Sequence, residues 1–471
     1  MSQPLTFGIE FEFLIASIIS PKDSPPEPAP GKVIRFPRSD GNGASIPRFD
    51  THRHIVSILQ SASFPAAQKE GRGAGDYTRW GVTGDSTVEA PEGTGWDWID
   101  VEVVSPIFQL TQENLETVRK VCALLRKTYK YHTPRSSGLH VHIGDGDANF
   151  SFETIQNLIT FLWAFEPQLN TLHPIWRIDS TYCLSMRNKS AFAERWYHDH
   201  GERPLPLEGV LELMKPRTME VMCDEASPQI AKYGAYNFLG VKSIAGGRKI
   251  GSTAFAKPTV EFRQHMGTLS GEAAIAWIKT VGGIVQFAKN VDPITLHNLL
   301  SVLQYETWEK LGANRDPQKE KDLGPTLAES RFTAVDLFQY IGLTESAEYY
   351  RDKMYDNDTP VFVPDELTTV TVEDKNGGIK DIPIAELPVL LRSWDYETNS
   401  RLQPDPAEYA RKQQRRKLWE AWKRLDNTMQ ARGSDRMPVD LESKFWPSGQ
   451  MTILPPPPPD DDGFDEFGVK V

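Results

Sequence analysis

Four short segments of the chain alternate apolar side chains with carboxylate or imidazole side chains, and this alternation limits the possible folds more than any other feature. The segments are GIEFEF (8–13), DVEVVSP (100–106), GLHVHI (138–143) and TVEFRQH (259–265). Because successive side chains of a strand point to opposite faces of a sheet, each segment predicts a strand with one apolar and one polar face. The sequence therefore predicts a sheet whose polar face gathers ionisable groups.

The predicted polar faces carry a distinctive set of side chains, which is Glu10, Glu12, Glu102, His140, His142, Glu261, Arg263 and His265. A single strand of this kind is ordinarily half-exposed, with its polar face in water. Solvent faces usually contain lysine, threonine, serine and glutamine as well, whereas this set contains no lysine. Carboxylates gathered on one sheet repel one another, so the four segments together indicate a site that binds cations.

The residue types in this set favour particular metal ions. Oxygen-rich ligation with an occasional imidazole suits Mg²⁺ or Mn²⁺, and the absence of cysteine argues against structural zinc. The pair His140 and His142 could also serve zinc, so a metal-dependent hydrolase stays an alternative. The guanidinium of Arg263, close to Glu261, can hold phosphate oxygens with two hydrogen bonds. Carboxylates for metal ions beside such an arginine point to phosphoryl transfer.

The same motifs resemble those of the amidoligase family, within the carboxylate-amine ligase and glutamine synthetase superfamily. The resemblance rests on GIEFEF, VEVVSP, GLHVHIG and TVEFRQHMGTL, which occur in the family's order and precede a helix that contains tryptophan. Further similarities are Asp85-Ser86-Thr87, Glu166-Pro167 and Tyr236-Asn237, and the similar part of the chain covers about residues 5–350. Pro134-Arg135 stands where such sequences often have a polar Asn-x-x run, and this departure bears on substrate choice.

The resemblance implies an α+β fold, in which a curved antiparallel β-sheet of the glutamine synthetase and carboxylate-amine ligase type surrounds a nucleotide and its metals, with helices packed outside. The implied metal ligands are Glu10, Glu12, Glu102, His142 and Glu261. The implied catalytic residues are Glu10, Glu12, Glu102 and Arg263, of which Arg263 also binds phosphate. Contacts with nucleotide or substrate are implied for His140, Asp85 and Arg177. The implied cofactors are ATP and Mg²⁺, with Mn²⁺ as a second possible metal.

The implied function is ATP- and Mg²⁺-dependent formation of an amide or isopeptide bond between a carboxylate and an amine, through an acyl phosphate. The substrates are expected to be small molecules or peptides. Two alternatives stay open, namely a metal-dependent amide hydrolase and a catalytically weak binding protein that acts through its C-terminal region. The hydrolase would need no ATP, and the binding protein would keep its partner after loss of the metal ligands.

The chain is predicted to have three parts, a catalytic domain at 1–355, a mainly helical extension at 356–450 and a disordered tail at 451–471. A flexible proline-rich insertion is predicted inside the first part at 21–47. Helices are predicted at 55–64, 110–131, 151–172, 270–289, 294–311, 334–350 and 406–432, and a strand at 368–372. The proline-rich acidic tail is a candidate docking segment for a protein partner.

Composition and charge exclude several classes of protein. The chain has 52 Lys and Arg against 64 Asp and Glu, a net charge of −12, which argues against a nucleic-acid partner. Its 3 cysteines are scattered without C-x-x-C spacing, which fits a reducing compartment. The start of the chain does not resemble a signal peptide and no apolar stretch reaches about 18 residues, so a cytoplasmic protein without a membrane partner is predicted.

Overall fold

The computed structural model describes residues 4–18, 33–35, 47–69, 76–91, 96–178, 180–201, 203–215, 217–250, 257–300, 302–303, 334–355, 369–373 and 379–383. The insertion predicted at 21–47 falls largely outside these residues. The helix predicted at 406–432 and the tail at 451–471 fall wholly outside them. These three expectations, and the division of the chain into domains, stay predictions.

The described strands form two sheets. The strands are β1 (Thr6–Ile18), β2 (Ile34–Arg35), β3 (Ala66–Gln68), β4 (Trp80–Thr83), β5 (Asp97–Val104), β6 (Phe108–Gln109), β7 (Tyr131–His132), β8 (Gly138–Gly144), β9 (Tyr236–Asn237), β10 (Thr259–Met266), β11 (Thr369–Glu373) and β12 (Ile379–Pro383). The main sheet has the order β3-β4-β5-β1-β8-β10-β9, and β2, β6 and β7 also pair with β1. β11 and β12 pair separately, and β11 matches the strand predicted at 368–372.

The main sheet is largely antiparallel and open. Only β1 with β2 and β3 with β4 run parallel among the described pairs. β3 and β9 lie at the two ends of the strand order. Together with the helices, this sheet makes the described part of the chain a mixed α+β structure, which confirms that part of the predicted fold class.

β1 is the central strand of the sheet and shows the predicted alternation. Ile9, Phe11 and Phe13 are completely buried on the apolar face. On the other face, Glu10 pairs with His140 of β8, and Glu12 pairs with Glu102 of β5. This register follows from the side-chain period of two, because a shift by one residue would exchange the two faces of the strand.

Helices supply the other layer of the structure. They are α1 (Pro47–Ser61), α2 (Gln112–Thr128), α3 (Phe152–Asn170), α4 (Met186–Lys189), α5 (Ala191–His200), α6 (Pro206–Leu213), α7 (Met219–Ala226), α8 (Leu239–Ala245), α9 (Gly271–Asn290), α10 (Pro293–Leu300), α11 (Ala334–Tyr340) and α12 (Thr344–Tyr355). The side chains of Thr111, Ser151 and Ser270 cap the first turns of α2, α3 and α9. The helices predicted around these caps are confirmed.

Other helix predictions need correction. The helix predicted at 334–350 is two helices, α11 and α12, because the chain turns at Gly342 with a φ of +81° that few other residues adopt. The helix predicted at 55–64 begins earlier, at Pro47, since proline fits the first position of a helix. Of the helix predicted at 294–311, the described part is α10.

The core lies between the sheet and the long helices. α3 packs against α9, α2 packs against α9, and α9 contacts β8. Apolar residues of these elements form one continuous buried cluster with the apolar side chains of β1, β5, β8 and β10. α2, α3 and α9 therefore lie on the apolar face of the sheet, opposite the face that carries the carboxylates. Among the described helices, none is both long enough and apolar enough to cross a membrane.

α3 bends near its C-terminal end, where Pro167 lies inside the helix and Phe165 has non-helical torsion angles. Pro167 has no N–H group to donate to the carbonyl oxygen of Trp163. Arg187 replaces that hydrogen bond, because its Nε donates to Trp163 O at 2.7 Å and its Nη2 donates to Ala164 O at 2.6 Å. A buried arginine thus satisfies the carbonyl groups of the kink.

Glu166 of α3 holds the same 185–187 segment next to the kink. Its carboxylate accepts hydrogen bonds from Ser185 Oγ at 2.7 Å and from the backbone N–H groups of Met186 at 2.7 Å and Arg187 at 2.9 Å. Burial raises the pKa of Glu166, and these hydrogen bonds oppose the rise. The Glu166-Pro167 landmark therefore attaches the 185–187 segment to α3, and the chain just before this segment contacts the polar face of the sheet.

Candidate functional site

The structure brings the predicted residues of the four motif strands, except His265, together on one face of the sheet. Neighbouring strands place Glu12 opposite Glu102, Glu10 opposite His140, and Glu261 opposite His142. The strands contribute in the spatial order β5, β1, β8 and β10. Carboxylates that are far apart in sequence are therefore neighbours across the strands.

Glu10 lies at the centre of this cluster. His142 Nε2 donates to Glu10 Oε1 at 3.2 Å, and His140 Nδ1 lies 3.4 Å from Glu10 Oε2. Burial opposes ionisation of Glu10, but the charge of His142, the hydrogen bonds of both histidines and the charge of Lys257 hold its pKa well below the usual value. Glu10 is therefore a carboxylate, with two oxygen atoms available as acceptors.

Glu12 and Glu102 have the opposite tendency. Burial raises the pKa of Glu12, and the charge of Asp85 adds to the rise while His140 opposes it. Burial, followed by the charges of Glu10 and Glu12, raises the pKa of Glu102 well above its usual value. Two carboxylates facing each other across strands in a buried site are costly unless a proton or a cation neutralises them.

The donor set fits a divalent cation. Ligand atoms of Glu10, His140 and Glu261 all lie within 4.8 Å of one another. His140 Nε2 is buried, and no described group forms a hydrogen bond with it, the nearest ionic partner being Glu12 Oε1 at 3.6 Å. Carboxylate oxygens with one imidazole suit Mg²⁺ or Mn²⁺.

The surroundings of His140 and His142 do not match the roles that were predicted for them. His142 was predicted as the metal ligand, and its Nε2 lies 3.2 Å from Glu10 and 4.0 Å from Glu261. His140, which was predicted to contact nucleotide, lies deeper, with its side chain only 3% exposed, and is the imidazole in the compact three-residue group. Metal binding by either histidine stays a prediction. The spacing of the two histidines in the sequence could not show that His140, rather than His142, lies in the compact group with Glu10 and Glu261.

Arg263 borders the carboxylates. Its Nη1 donates to Glu261 Oε1 at 2.5 Å and lies 3.3 Å from His140 Nδ1, while its Nε donates to the carbonyl oxygen of Tyr182 at 3.3 Å. Burial alone would lower the pKa of Arg263, but the charge of Glu261 and neighbouring carboxylates raises it. Burial alone would raise the pKa of Glu261, but the charges of Arg263 and His142 outweigh it and lower that pKa to about 2. The guanidinium is therefore a fixed positive charge beside the candidate metal ligands.

Arg177 and Asp85 lie at the edge of the cluster. Arg177 is 2% exposed, and its Nη2 donates to the carbonyl oxygen of Arg263 at 2.8 Å, which fixes the backbone of β10. Asp85 accepts hydrogen bonds from the backbone N–H and the hydroxyl of Thr87, both at 2.7 Å. Its charge acts on Glu12 and Glu102. Both residues are thus close to the carboxylates, and their contacts with substrate or nucleotide stay predictions.

The alternation predicted His265 on the polar face, and this prediction is wrong. The register between β10 and β8 shifts between Phe262 and His265, so that His265 pairs with Leu139, a residue of the apolar face. The imidazole is completely buried, with its ring 5.9 Å from the ring of Trp277 and 5.8 Å from that of His173. A β-bulge explains the error, because one extra residue reverses the side-chain alternation that follows it.

This burial predicts a specific pH dependence of stability. Burial lowers the pKa of His265 to about 4 and that of His173 well below its usual value, so both imidazoles are neutral in the folded protein. Unfolding exposes them to water, where histidine has a pKa of about 6.5. Stability is therefore fully present above about pH 6.5 and falls as the pH is lowered towards 4, by up to about 1.4 kcal/mol per pH unit for each histidine.

We expect His265→Gln to reduce this slope by about 1.2 kcal/mol per pH unit between pH 6 and 5, as measured by urea unfolding across a pH series. The same measurement at pH 8 is the control, because there the imidazole is neutral in both states and only the packing loss remains. An unchanged slope would show that His265 is not held neutral by burial.

Two lysines near the cluster were not predicted from the sequence. The charge of Lys257 acts on Glu10 and Glu261, and the charge of Lys69 acts on Glu102. Lys257 comes just before the motif of β10, whereas Lys69 follows the short strand β3. Neither lysine belongs to a periodic sequence pattern. Only the folded structure shows that their charges act on the carboxylates.

Comparison with known proteins agrees with this geometry. Residues 3–285 match the model of a family described as "putative amidoligase enzyme". The matched part contains all four motif strands and Arg263. No curated protein matches the chain.

Proposed function

The chain belongs to the amidoligase family, a family of ligase-type enzymes, and from this premise we propose that it is an ATP- and Mg²⁺-dependent carboxylate-amine ligase. It would join a carboxylate to an amine through an acyl phosphate. The sheet of the main domain would then be of the glutamine synthetase type. The substrates we propose are a small-molecule or peptide carboxylate and a small-molecule or peptide amine.

One observation carries this proposal. Four buried or half-buried carboxylates converge from β1, β5 and β10, and a fixed guanidinium lies beside them. Like charges in a low-dielectric site are unfavourable without cations, so the arrangement suits metal ions. The guanidinium adds the positive charge that developing negative charge on a phosphoryl group requires. The carboxylates are Glu10, Glu12, Glu102 and Glu261, and the guanidinium is that of Arg263.

The residues that would hold the metal are Glu10, Glu12, Glu102, His140, His142 and Glu261. Mg²⁺ bound there would neutralise phosphate oxygens and align them for transfer. Arg263 would bind the transferred phosphoryl group through the part of its fork that Glu261 does not use. Arg177, through its hydrogen bond to the carbonyl oxygen of Arg263, would keep that fork in place.

The proposed reaction has two steps, the formation of an acyl phosphate and its attack by the amine. A carboxylate oxygen of the substrate attacks the γ-phosphorus of ATP, the bond to the β,γ-bridging oxygen breaks, and ADP leaves. The amine nitrogen then attacks the acyl carbon, the carbon–oxygen bond to phosphate breaks, and inorganic phosphate leaves as the amine gives up a proton. Neither step needs a nucleophile from the protein, so positioning and charge stabilisation are the main tasks of the side chains.

The test is a screen of phosphate release from Mg-ATP over panels of carboxylates and amines, with mass spectrometry of the products. The proposal expects release that requires both substrates and a product equal in mass to the two substrates less water. Amide cleavage without ATP would instead support the metal-dependent hydrolase. Failure to release phosphate with any pair, together with no nucleotide-dependent rise in melting temperature, would contradict the ligase proposal.

A further inference from the structure

Two lysines lie against one tyrosine ring at the edge of the carboxylate cluster. The Nζ atom of Lys69 is 5.3 Å from the centre of the Tyr77 ring, and the Nζ atom of Lys257 is 4.2 Å from it. Such distances are within the range of cation–π attraction, so the ring holds both ammonium groups in place.

The two lysines come from different parts of the sheet. Lys69 directly follows β3, at one end of the strand order, and its backbone N–H donates to Val82 O of β4 at 2.8 Å. Lys257 lies two residues before the first residue of β10, and β10 is next to the last strand at the other end. The contact over Tyr77 thus joins both sides of the face that carries the carboxylates.

The charges of both ammonium groups act on the carboxylate cluster, although neither group forms a close ion pair with a described carboxylate. Lys257 acts on Glu10 and Glu261, and Lys69 acts on Glu102, through their charges. Among the described carboxylates, none lies within 4 Å of either Nζ atom, in contrast to the 2.5 Å contact between Arg263 and Glu261. Each lysine is half-buried, so its charge is only partly solvated.

The simpler explanation is that the two lysines only neutralise the charges of the carboxylates. Their positions against the Tyr77 ring argue against it. A lysine that only neutralises a carboxylate gains most by contacting it, because the Coulomb energy falls with distance. Here the two ammonium groups lie next to the same ring instead, no more than about 9.5 Å apart from the distances of 5.3 and 4.2 Å to its centre. Two ammonium groups on one ring repel each other, and an anion that contacts both would lower that repulsion.

We propose that Lys69, Tyr77 and Lys257 form a subsite for the polyphosphate chain of a nucleoside triphosphate. The inference rests on the proposed function, which supplies the nucleotide. In this arrangement the phosphate chain extends from the carboxylate cluster, where metal ions would bind it, to the two ammonium groups.

The residue types favour phosphate over a carboxylate substrate. An ammonium group is a compact charge with three donors in all directions, which suits the tetrahedral oxygens of phosphate. A phosphate chain also carries several charges along its length and can therefore contact both ammonium groups, whereas a single carboxylate would reach one.

The experiment compares Lys69→Gln, Lys257→Gln and the double variant with the parent protein by titration calorimetry. The probes are Mg-ATP, Mg-tripolyphosphate, AMP and Mn²⁺ alone. Each single variant is expected to bind Mg-ATP and Mg-tripolyphosphate about tenfold more weakly, since a charge-assisted hydrogen bond contributes that much, and the double variant about a hundredfold. AMP and Mn²⁺ affinities are expected to stay within about threefold of the parent.

Two further variants separate binding from folding. Lys130→Gln is the matched control, because Lys130 also lies over an aromatic ring, that of Trp96 at 5.7 Å, but away from the carboxylates. It should leave all four affinities unchanged. Lys257→Arg keeps the charge and is expected to retain most of the tripolyphosphate affinity. If Lys257→Gln does not fold, the loss of tripolyphosphate affinity in Lys69→Gln is the test.

The outcomes distinguish the inference from the proposed function. If the lysines only compensate the carboxylates, the glutamine variants will bind Mn²⁺ more tightly and tripolyphosphate as before, which would overturn the inference alone. Normal turnover of ATP by the double variant, with unchanged affinity, would do the same. A parent protein that binds neither Mg-ATP nor Mg-tripolyphosphate would overturn the proposed function and this subsite with it.

Discussion

Glu10→Ala is expected to lower amine-dependent phosphate release from ATP at least about a thousandfold. The change removes a carboxylate from the group that Glu10 forms with His140 and Glu261. It should also weaken Mn²⁺ binding, which the same protein sample can report by titration. The fold should survive, because Glu102, whose pKa is raised by burial and then by Glu10, loses a repulsive neighbour.

The matched control for this variant is Glu113→Ala. Glu113 is an exposed carboxylate in the first turn of α2, and removing it changes the net charge by the same amount. Its effect on activity should be negligible, and its effect on stability should stay within about 0.5 kcal/mol. Full activity of Glu10→Ala, measured beside this control, would show that the assignment of the carboxylate cluster is wrong.

Arg263→Ala should separate metal binding from phosphoryl transfer. Phosphate release is expected to fall as far as in Glu10→Ala, because the positive charge beside Glu261 is lost. Mn²⁺ affinity should be retained, since Glu261 then has no guanidinium partner and its oxygens are free for the metal. A variant that keeps full phosphate release would exclude a role of Arg263 in transfer.

Gly138→Ala is expected to cost about 2 kcal/mol of stability and at least about a hundredfold in activity. An added methyl group would lie 2.3 Å from Arg177 Nη2 and 2.6 Å from His140 Nε2. Both side chains are buried, and neither can move freely to make room. The backbone N–H of Gly138 also donates to Glu12 Oε2 at 2.6 Å, so a shift of the strand would displace a carboxylate as well.

Gly8→Ala is the control for this prediction. Gly8 lies in β1, and a methyl group there would meet only His142 Cβ and Ser105 Oγ, both at 3.9 Å, which are ordinary contact distances. Urea unfolding should therefore show a change within about 0.5 kcal/mol. If the two alanine variants behave alike, the close approach at Gly138 is not what limits its replacement.

Much of the site could be predicted because the sequence patterns that indicate it each lie within a few consecutive residues. The alternation in β1, β5 and β8 depends only on the strand period, so the faces of Glu10, Glu12, Glu102, His140 and His142 follow from short stretches of sequence. The same holds for the caps of α2, α3 and α9, which depend on one side chain and the turn that follows. Family resemblance then supplied the order of the motifs, and the family match covers this part of the chain.

The rest depends on contacts between distant residues. The bulge in β10 that places His265 in the core arises from its register with β8, and TVEFRQH alone shows an unbroken alternation. The short strands β3 and β4 have no periodic pattern long enough to detect, and the effect of the Lys69 charge on Glu102 follows only from the fold. Arg187 is a further case, since its role comes from the kink at Pro167 on another helix.

The central position of β1 has a consequence for how the protein is made. β1 completes its pairing only with β8, and Glu12 bonds to Gly138, which is 126 residues later in the chain. At about 5–20 residues per second, roughly 6 to 25 s pass on the ribosome between the two. During that interval β1 can pair with β5 but not with β8, so the edge of β1 that β8 later occupies is open to association with other chains.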